Sequence, residues 1–219
     1  MRAYWAIQRM ITSRFLLAMQ TISNAMWLRR RSDRRILVSS RSLLDDEYAR
    51  GRWAYLESLQ ELPRYAVISA YCAHRRSAVS VLDLGCGTGV LRRWLRPELL
   101  ADYVGVDLSE VAIECARREV KDVGTFVAAD VATFAPSRRF DVIVFNEVLY
   151  YFADPGDILR RYASALENGG FFIISLWESP ESDRAWRCAA GAVTVVDAVE
   201  VRNECKVAWR IRLCRPAGS

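Results

Sequence analysis

From Ser80 onward the chain is built of short, largely apolar runs separated by segments whose apolar residues recur every three or four positions. The runs at 81–84, 103–106, 125–128, 141–145 and 171–176 predict strands, and the segments at 90–95, 110–119 and 156–166 predict helices between them. Strands without a polar side, alternating with helices, predict a mostly parallel sheet covered by helices on both faces. A further helix at 183–190 is followed by "VTVVDAVEV" and "KVAWRIRLC", parted by a few residues. So short a link cannot cross over to a parallel neighbour, and the two segments predict an antiparallel pair.

Upstream, "DDEYARGRWAYLESLQELPRYAVISAYCAHRR" (45–76) predicts two helices parted near Pro63, since proline favours a helix start and disturbs the residue before it. Trp53, Leu56 and Leu59, then Tyr65, Ile68 and Tyr71, supply their apolar spacing, giving a helical cap over whatever follows. The first 46 residues differ again. Ile11, Phe15, Met19, Ile22 and Met26 share one helical stripe, and up to Arg35 there are eight arginines against the single acid Asp33. Such a basic amphipathic extension suits a membrane surface, a docking partner or a targeting segment. It equally suits a loosely packed leader before a later start at Met10, Met19 or Met26. No run approaches the length of a membrane span. The expected organisation is an extension over 1–46 and a domain over 47–219, with cap helices at 47–76.

At 219 residues with 52% hydrophobic positions, the chain suits one sizeable core. The 31 basic against 26 acidic residues give +5, which raises nucleic acid as a partner. All the basic residues except Lys121 and Lys206 are arginine, however, a bias spread along the chain rather than a binding patch. Six cysteines occur without a C-x-x-C pair, which argues against a disulfide framework or a zinc site and for a reducing cytosol. The single histidine, His74, reads as a surface residue at a helix end, and no metal site is expected.

"VLDLGCGTGV" (81–90) places Gly85, Gly87 and Gly89 at alternate positions just after the first strand and puts an acid, Asp83, inside it. A dinucleotide site would show G-x-G-x-x-G with a small residue where Val90 stands. In an open parallel sheet ligands lie beyond the carboxyl ends of the strands, and three more such ends carry polar groups. They are Asp107 in "YVGVDLS", Asp130 in "FVAAD", and Asn146 with Glu147 in "FDVIVFNEVLYYF". A strand-end acid can instead cap the following helix, and Ser109 competes with Asp107 for that role.

This constellation resembles the class I S-adenosylmethionine-dependent methyltransferases from about Val81 to Pro216. The resemblance implies a Rossmann-like three-layer α/β sandwich whose seven-stranded sheet runs 3-2-1-4-5-7-6, with the last strand antiparallel. It implies S-adenosylmethionine as cofactor. Gly85, Gly87 and Gly89 would pass beneath its methionine part and Asp83 would reach its amino group. Asp107, with Leu108 beside it, would hold the ribose, Asp130 the adenine amino group with Val131 packed near it, and Asn146 the methionine end through its backbone. "NEVLYYF" is similar to the equivalent stretch in methyltransferases of small molecules and sugars, including the nodulation-factor N-methyltransferases.

Motifs of other subfamilies are missing. There is no N/D-P-P-Y/F after the fourth strand, no Pro-Cys nucleophile and no double-glutamate loop, which leaves an O or N atom of a small molecule or sugar as the expected methyl acceptor. Glu147, Tyr150 and Tyr151 are the candidate catalytic residues, with Asp154 a further acid on the same loop. Trp53 and Tyr65 from the cap are candidates to close over the acceptor. Two other readings stay open: a nucleic-acid methyltransferase, on the arginine excess, and a non-catalytic cofactor-binding module docked on a membrane or protein through residues 1–35.

Overall fold

Val79–Leu84 (β1) is buried at every position, as a strand covered on both faces must be. In the computed structural model, which describes residues 40–74, 78–121 and 124–218, β1 pairs in parallel with β2 (Leu100–Asp107) and with β4 (Phe140–Asn146). Outside β2 lies β3 (Thr125–Ala128), and outside β4 lies β5 (Leu166–Trp177), both parallel. β7 (Ala208–Pro216) runs antiparallel to β5 and to the edge strand β6 (Val193–Arg202). The sheet order is therefore β3-β2-β1-β4-β5-β7-β6, as expected.

Helices cover both faces. On one, α5 (Pro155–Ala163) and α6 (Pro180–Ala189) close a core in which Leu82, Phe145, Phe172 and Ile174 meet Leu159, Tyr162 and Trp186. Over the rest of the sheet lie α2 (Leu62–Ala73), packed on β5, β6 and β7, and α4 (Glu110–Glu119), packed on β2 and β3. The short α3 (Val90–Trp94) follows the glycine turn and touches α2. α1 (Arg41–Ala49) lies against α4, tied by Arg41 to Glu110 at 2.6 Å and by the Ser109 hydroxyl donating to Asp45 at 2.6 Å.

The cap differs from expectation. Helix α1 begins earlier, behind Ser40, whose hydroxyl accepts the Leu43 N–H, and it ends at Ala49. Gly51, at φ +65°, supplies the left-handed residue that stops a helix. Trp53, Leu56 and Leu59 therefore share no α-helical face: Ala54–Glu57 is a single 3₁₀ turn, and Leu59 is 70% exposed. The boundary expected at 46/47 falls inside α1, and the amphipathic helix expected within 1–35 lies outside the described residues. Pro63 does sit in the first turn of α2, and His74 is its exposed C-cap. β5 also starts before its expected bound. Its register jumps from Phe140↔Leu166 to Val142↔Phe171, so the turn through Gly169 becomes an irregularity within the strand.

Candidate functional site

Because β1 pairs with β2 on one side and β4 on the other, the strand order reverses beside it, where an open parallel sheet offers its ligand crevice. The turn leaving β1 is shaped for close approach. Gly87 has φ +54°, and a β-carbon there would lie 2.9 Å from the Tyr48 hydroxyl of α1; at Gly85, φ +77°, it would lie 2.8 Å from Val148. The turn's amides point back to β2: Gly85 and Cys86 donate to the Val106 carbonyl, and Gly87 donates to Asp107 Oδ2 at 2.8 Å. Gly87→Ala is expected to cost roughly 1–3 kcal/mol through backbone strain. In urea unfolding, adding Tyr48→Phe should return part of that loss by removing the obstructing oxygen; no loss in the single variant would show that the turn relaxes freely.

Asp83 is 1% exposed. Its Oδ2 accepts from the Tyr103 hydroxyl at 2.6 Å, while Oδ1 is buried with no hydrogen-bond partner. Burial pushes its carboxyl up to about 7, against the pull of the Tyr103 hydrogen bond and with a push from Asp107. Asp107 accepts the Ser109 N–H at 2.9 Å on Oδ1 and the Gly87 N–H on Oδ2. Burial raises its pKa too, and those two N–H groups oppose the rise. Ser109 takes the cap of α4, its hydroxyl oxygen accepting the Ala112 N–H at 3.1 Å. Asp107 is thus left outside the cap, with a lone pair on each oxygen still available. Cys86 is buried in the turn, and burial raises its thiol pKa, as does the Asp107 charge, so it is held as an inert thiol.

Beyond β4 the side chains come from the cap and the following loop. Arg64 of α2 is 1% exposed and donates to Asn146 Oδ1 at 2.6 Å and to the Tyr65 hydroxyl at 2.8 Å. Its Nε lies 2.8 Å from Glu61 Oε2, an ion contact whose angle is not that of a hydrogen bond. Burial acts to lower the Arg64 pKa, and the surrounding Tyr65, Glu61 and Glu147 outweigh it, so the guanidinium stays charged. Glu147 has φ +61°, uncommon for a residue with a side chain. Its N–H donates to the Ser175 carbonyl at 2.8 Å, and its Oε2 accepts from the Tyr150 hydroxyl at 3.2 Å. Tyr150 and Tyr151 pack ring to ring at 4.9 Å.

The other expected residues divide. Tyr65 is buried beside Arg64, whereas Trp53 is a half-buried ring stacked between Tyr48 and Tyr55. Leu108 is half-buried and Val131 buried. Asp130 is exposed and its Oδ1 accepts the Ala132 N–H at 2.8 Å, closing the turn after β3. Asp154 stands apart from the crevice as the exposed N-cap of α5. Sequence reasoning missed Tyr48, Glu61 and Arg64. The spacing of Glu61 and Arg64, an i,i+3 pair at a helix start, was the one signal available for the latter two. Among the described residues no cluster of His, Cys, Asp and Glu is placed to hold a metal.

A sheet of this order, with a glycine turn after β1 and buried acids on β1 and β2, has the architecture of the class I S-adenosylmethionine-dependent methyltransferases. The chain belongs to the methyltransferase-domain family, whose model matches residues 33–206. It is 31% identical over 149 residues to nodulation protein S of Bradyrhizobium diazoefficiens, covering 66% of this chain and 70% of that protein. It is 32% identical over 108 residues to the ubiquinone biosynthesis O-methyltransferase of Bordetella avium, covering 47% of this chain and 44% of that one. The chain thus spans less than half of this second relative. Among solved structures, the Burkholderia thailandensis 1,6-didemethyltoxoflavin-N1-methyltransferase superposes with a TM-score of 0.65 at 24% identity, over 80% of this chain and 86% of that one.

Proposed function

We propose that the protein transfers a methyl group from S-adenosylmethionine, held over the turn after β1, to an O or N atom of a small molecule lying in front of β4. The observation that carries this reading is the buried, unpartnered Oδ1 of Asp83 beside the glycine turn. A native fold rarely leaves such an atom without a ligand or water, and, once the carboxyl is ionised, that oxygen suits the cofactor's ammonium. Asp107 offers its spare lone pairs to the ribose hydroxyls, and the turn at Gly85 and Gly87 leaves room for the methionine part. Asp130 and Val131 are assigned to the adenine side, Leu108 beside Asp107 to the ribose, and Asn146, through its backbone, to the methionine end.

When bound, the cofactor supplies a methyl group made electrophilic by the adjoining sulfonium. The protein's part is mainly alignment, an effect worth up to about 7–11 kcal/mol in well-oriented systems. Glu147, held through its backbone by Ser175 and through its side chain by Tyr150, is assigned to take a proton from the acceptor, a contribution of typically 10²- to 10⁴-fold. Tyr65, Tyr150 and Tyr151 wall the acceptor and limit water, with Trp53 supporting the cap. The deciding experiment incubates the protein with deuteromethyl S-adenosylmethionine and a metabolite extract and searches by mass spectrometry for a labelled product. Failure to bind the cofactor in calorimetry at millimolar concentration would sink the reading.

Asp83 makes the protein sensitive to pH. Its folded pKa of about 7 lies above the usual unfolded value of about 3.9, so the folded state keeps a proton that the unfolded state releases. The associated stability is complete below about pH 4 and is lost as pH rises towards 7. Asp83→Asn, which keeps an acceptor for Tyr103, should therefore gain in melting temperature over the wild type as pH goes from 5 to 8. A difference independent of pH would contradict this. Pairing with the ammonium needs the ionised carboxylate, so wild-type cofactor affinity should also rise with pH up to about 7.

A peripheral contact through residues 1–35 rests on their arginines and apolar spacing alone. Deleting them is expected to abolish co-sedimentation with anionic vesicles and to leave cofactor affinity unchanged; retained co-sedimentation would place the contact elsewhere. No described helix is long and apolar enough to cross a membrane. All six cysteines are free thiols, which suits a cytosolic setting.

A further inference from the structure

Two side-chain donors at the crevice end of the sheet, the Asn146 Nδ2 and the Ser175 hydroxyl, have no role in the contacts given so far. Ser175 on β5 is fully buried, and its hydroxyl has no hydrogen-bond partner. Its neighbour in register on β4 is Asn146. Residues paired across adjacent strands point to the same face with their side chains about 5 Å apart. That face is the one under α2, because Asn146 Oδ1 accepts from Arg64. The same bond settles which way the Asn146 amide is turned: the oxygen faces the guanidinium, so Nδ2 and its two hydrogens are left over, and they donate to no described residue.

Asn146 Nδ2 and Ser175 Oγ therefore form a pair of adjacent, unspent donors immediately beside Glu147, whose own N–H is held by the Ser175 carbonyl. Leaving a buried hydroxyl unpaired is unfavourable for the free protein, and such a group ordinarily meets a ligand or a water. The donors call for an atom with lone pairs. The nearby guanidinium of Arg64 is already engaged by Glu61, Asn146 and the Tyr65 hydroxyl, so the pair is suited to an uncharged oxygen rather than a carboxylate.

Resting on the methyl-transfer reading above, we propose that Asn146 Nδ2 and Ser175 Oγ are a specificity subsite for the methyl acceptor, binding a carbonyl-type oxygen that lies close to the atom being methylated. The pair fixes the acceptor against β4 and β5 while Glu147 faces the reacting atom. Ser175 is then a substrate-positioning residue, and the acceptor class narrows to molecules with an amide, ketone or similar oxygen near the O or N that receives the methyl.

The test uses the full chain, deuteromethyl S-adenosylmethionine and serial dilutions of one metabolite extract, with labelled product followed by mass spectrometry. Ser175→Ala should raise the half-saturating extract concentration about 3- to 10-fold, the loss of one neutral hydrogen bond. It should leave the cofactor Kd in calorimetry within twofold and raise Tm by about 2 °C, because a buried unpaired hydroxyl is gone. A merely structural serine would show no such opposition between saturation and stability. Fragmentation of the product should place a carbonyl-type oxygen within a few bonds of the new methyl group.

An unchanged half-saturation would overturn the proposal and leave a buried water as the hydroxyl's partner. A cofactor Kd weakened in parallel would overturn it by giving the oxygen to the cofactor's carboxylate. A product lacking the oxygen would also overturn it. If the wild type binds the cofactor and yields no labelled product from any extract, the small-molecule reading itself fails, and the subsite falls with it.

Discussion

Replacing Arg64 with methionine is expected to destabilise the protein by about 3–5 kcal/mol. Arg64 is 1% exposed and Glu61 0%, and the two lie 2.8 Å apart. Removing the guanidinium takes an ion partner from the buried Glu61 carboxylate, and the Asn146 oxygen and Tyr65 hydroxyl lose a donor with it. Breaking a buried ion pair by removing one of its members is among the most damaging single substitutions. The measurement is urea unfolding of Arg64→Met and of Glu61→Leu/Arg64→Met. The double variant buries neither charge and should recover much of the loss, because well-packed apolar replacements of a buried pair are often neutral. A single variant within about 1 kcal/mol of wild type would show that the Arg64–Glu61 pair is not what holds α2 on the sheet. Even a stable double variant should be impaired in methyl transfer, since Asn146 would no longer be oriented.

The second large effect belongs to Asp107. Its carboxylate receives two backbone N–H groups, from Gly87 and Ser109, at 2.8 and 2.9 Å, and is assigned the ribose as well. A hydrogen bond to a charged group is worth about 1.5–3 kcal/mol, and each 1.4 kcal/mol is tenfold in affinity. Asp107→Ala removes the contact proposed for the ribose and loosens the glycine turn at once, so the calorimetric Kd for S-adenosylmethionine should rise by about 100-fold. Asp107→Asn, which keeps one acceptor oxygen, should fall between. A change smaller than threefold in the alanine variant would remove Asp107 from the cofactor site.

The two residues stood very differently in the sequence. Asp107 ends an apolar run that can hardly be anything but a strand, so its position at a carboxyl end was legible in the sequence alone. Whether it capped the following helix was not legible, because Ser109 two residues on is as good a cap; the fold gives that role to Ser109. Arg64 looked like one more arginine in an arginine-rich chain. Its burial follows from α2 lying on the sheet and from Asn146, 82 positions away, arriving beneath it.

The cap illustrates a local misreading. Trp53, Leu56 and Leu59 have helical spacing, yet Gly51 takes a left-handed conformation and ends α1 before them. Tyr48, read only as part of a helix, reaches the glycine turn closely enough that Gly87 has no room for a side chain. The periodicity was real but was outweighed by one residue's backbone freedom.

By itself the sequence determined the alternation of strands and helices, the glycine turn after β1, and the acids at strand ends. Each of these is encoded over a few neighbouring residues, in apolar period, in the ability of glycine to take positive φ, and in side-chain type. Only the tertiary structure decided which polar atoms are spent and which are spare. Asp83 Oδ1 and Ser175 Oγ are ordinary groups in the sequence and become unpartnered ones once the sheet and its helices exclude water from them. Being unsatisfied is a property of burial and of distant neighbours together, and no short stretch of sequence contains either.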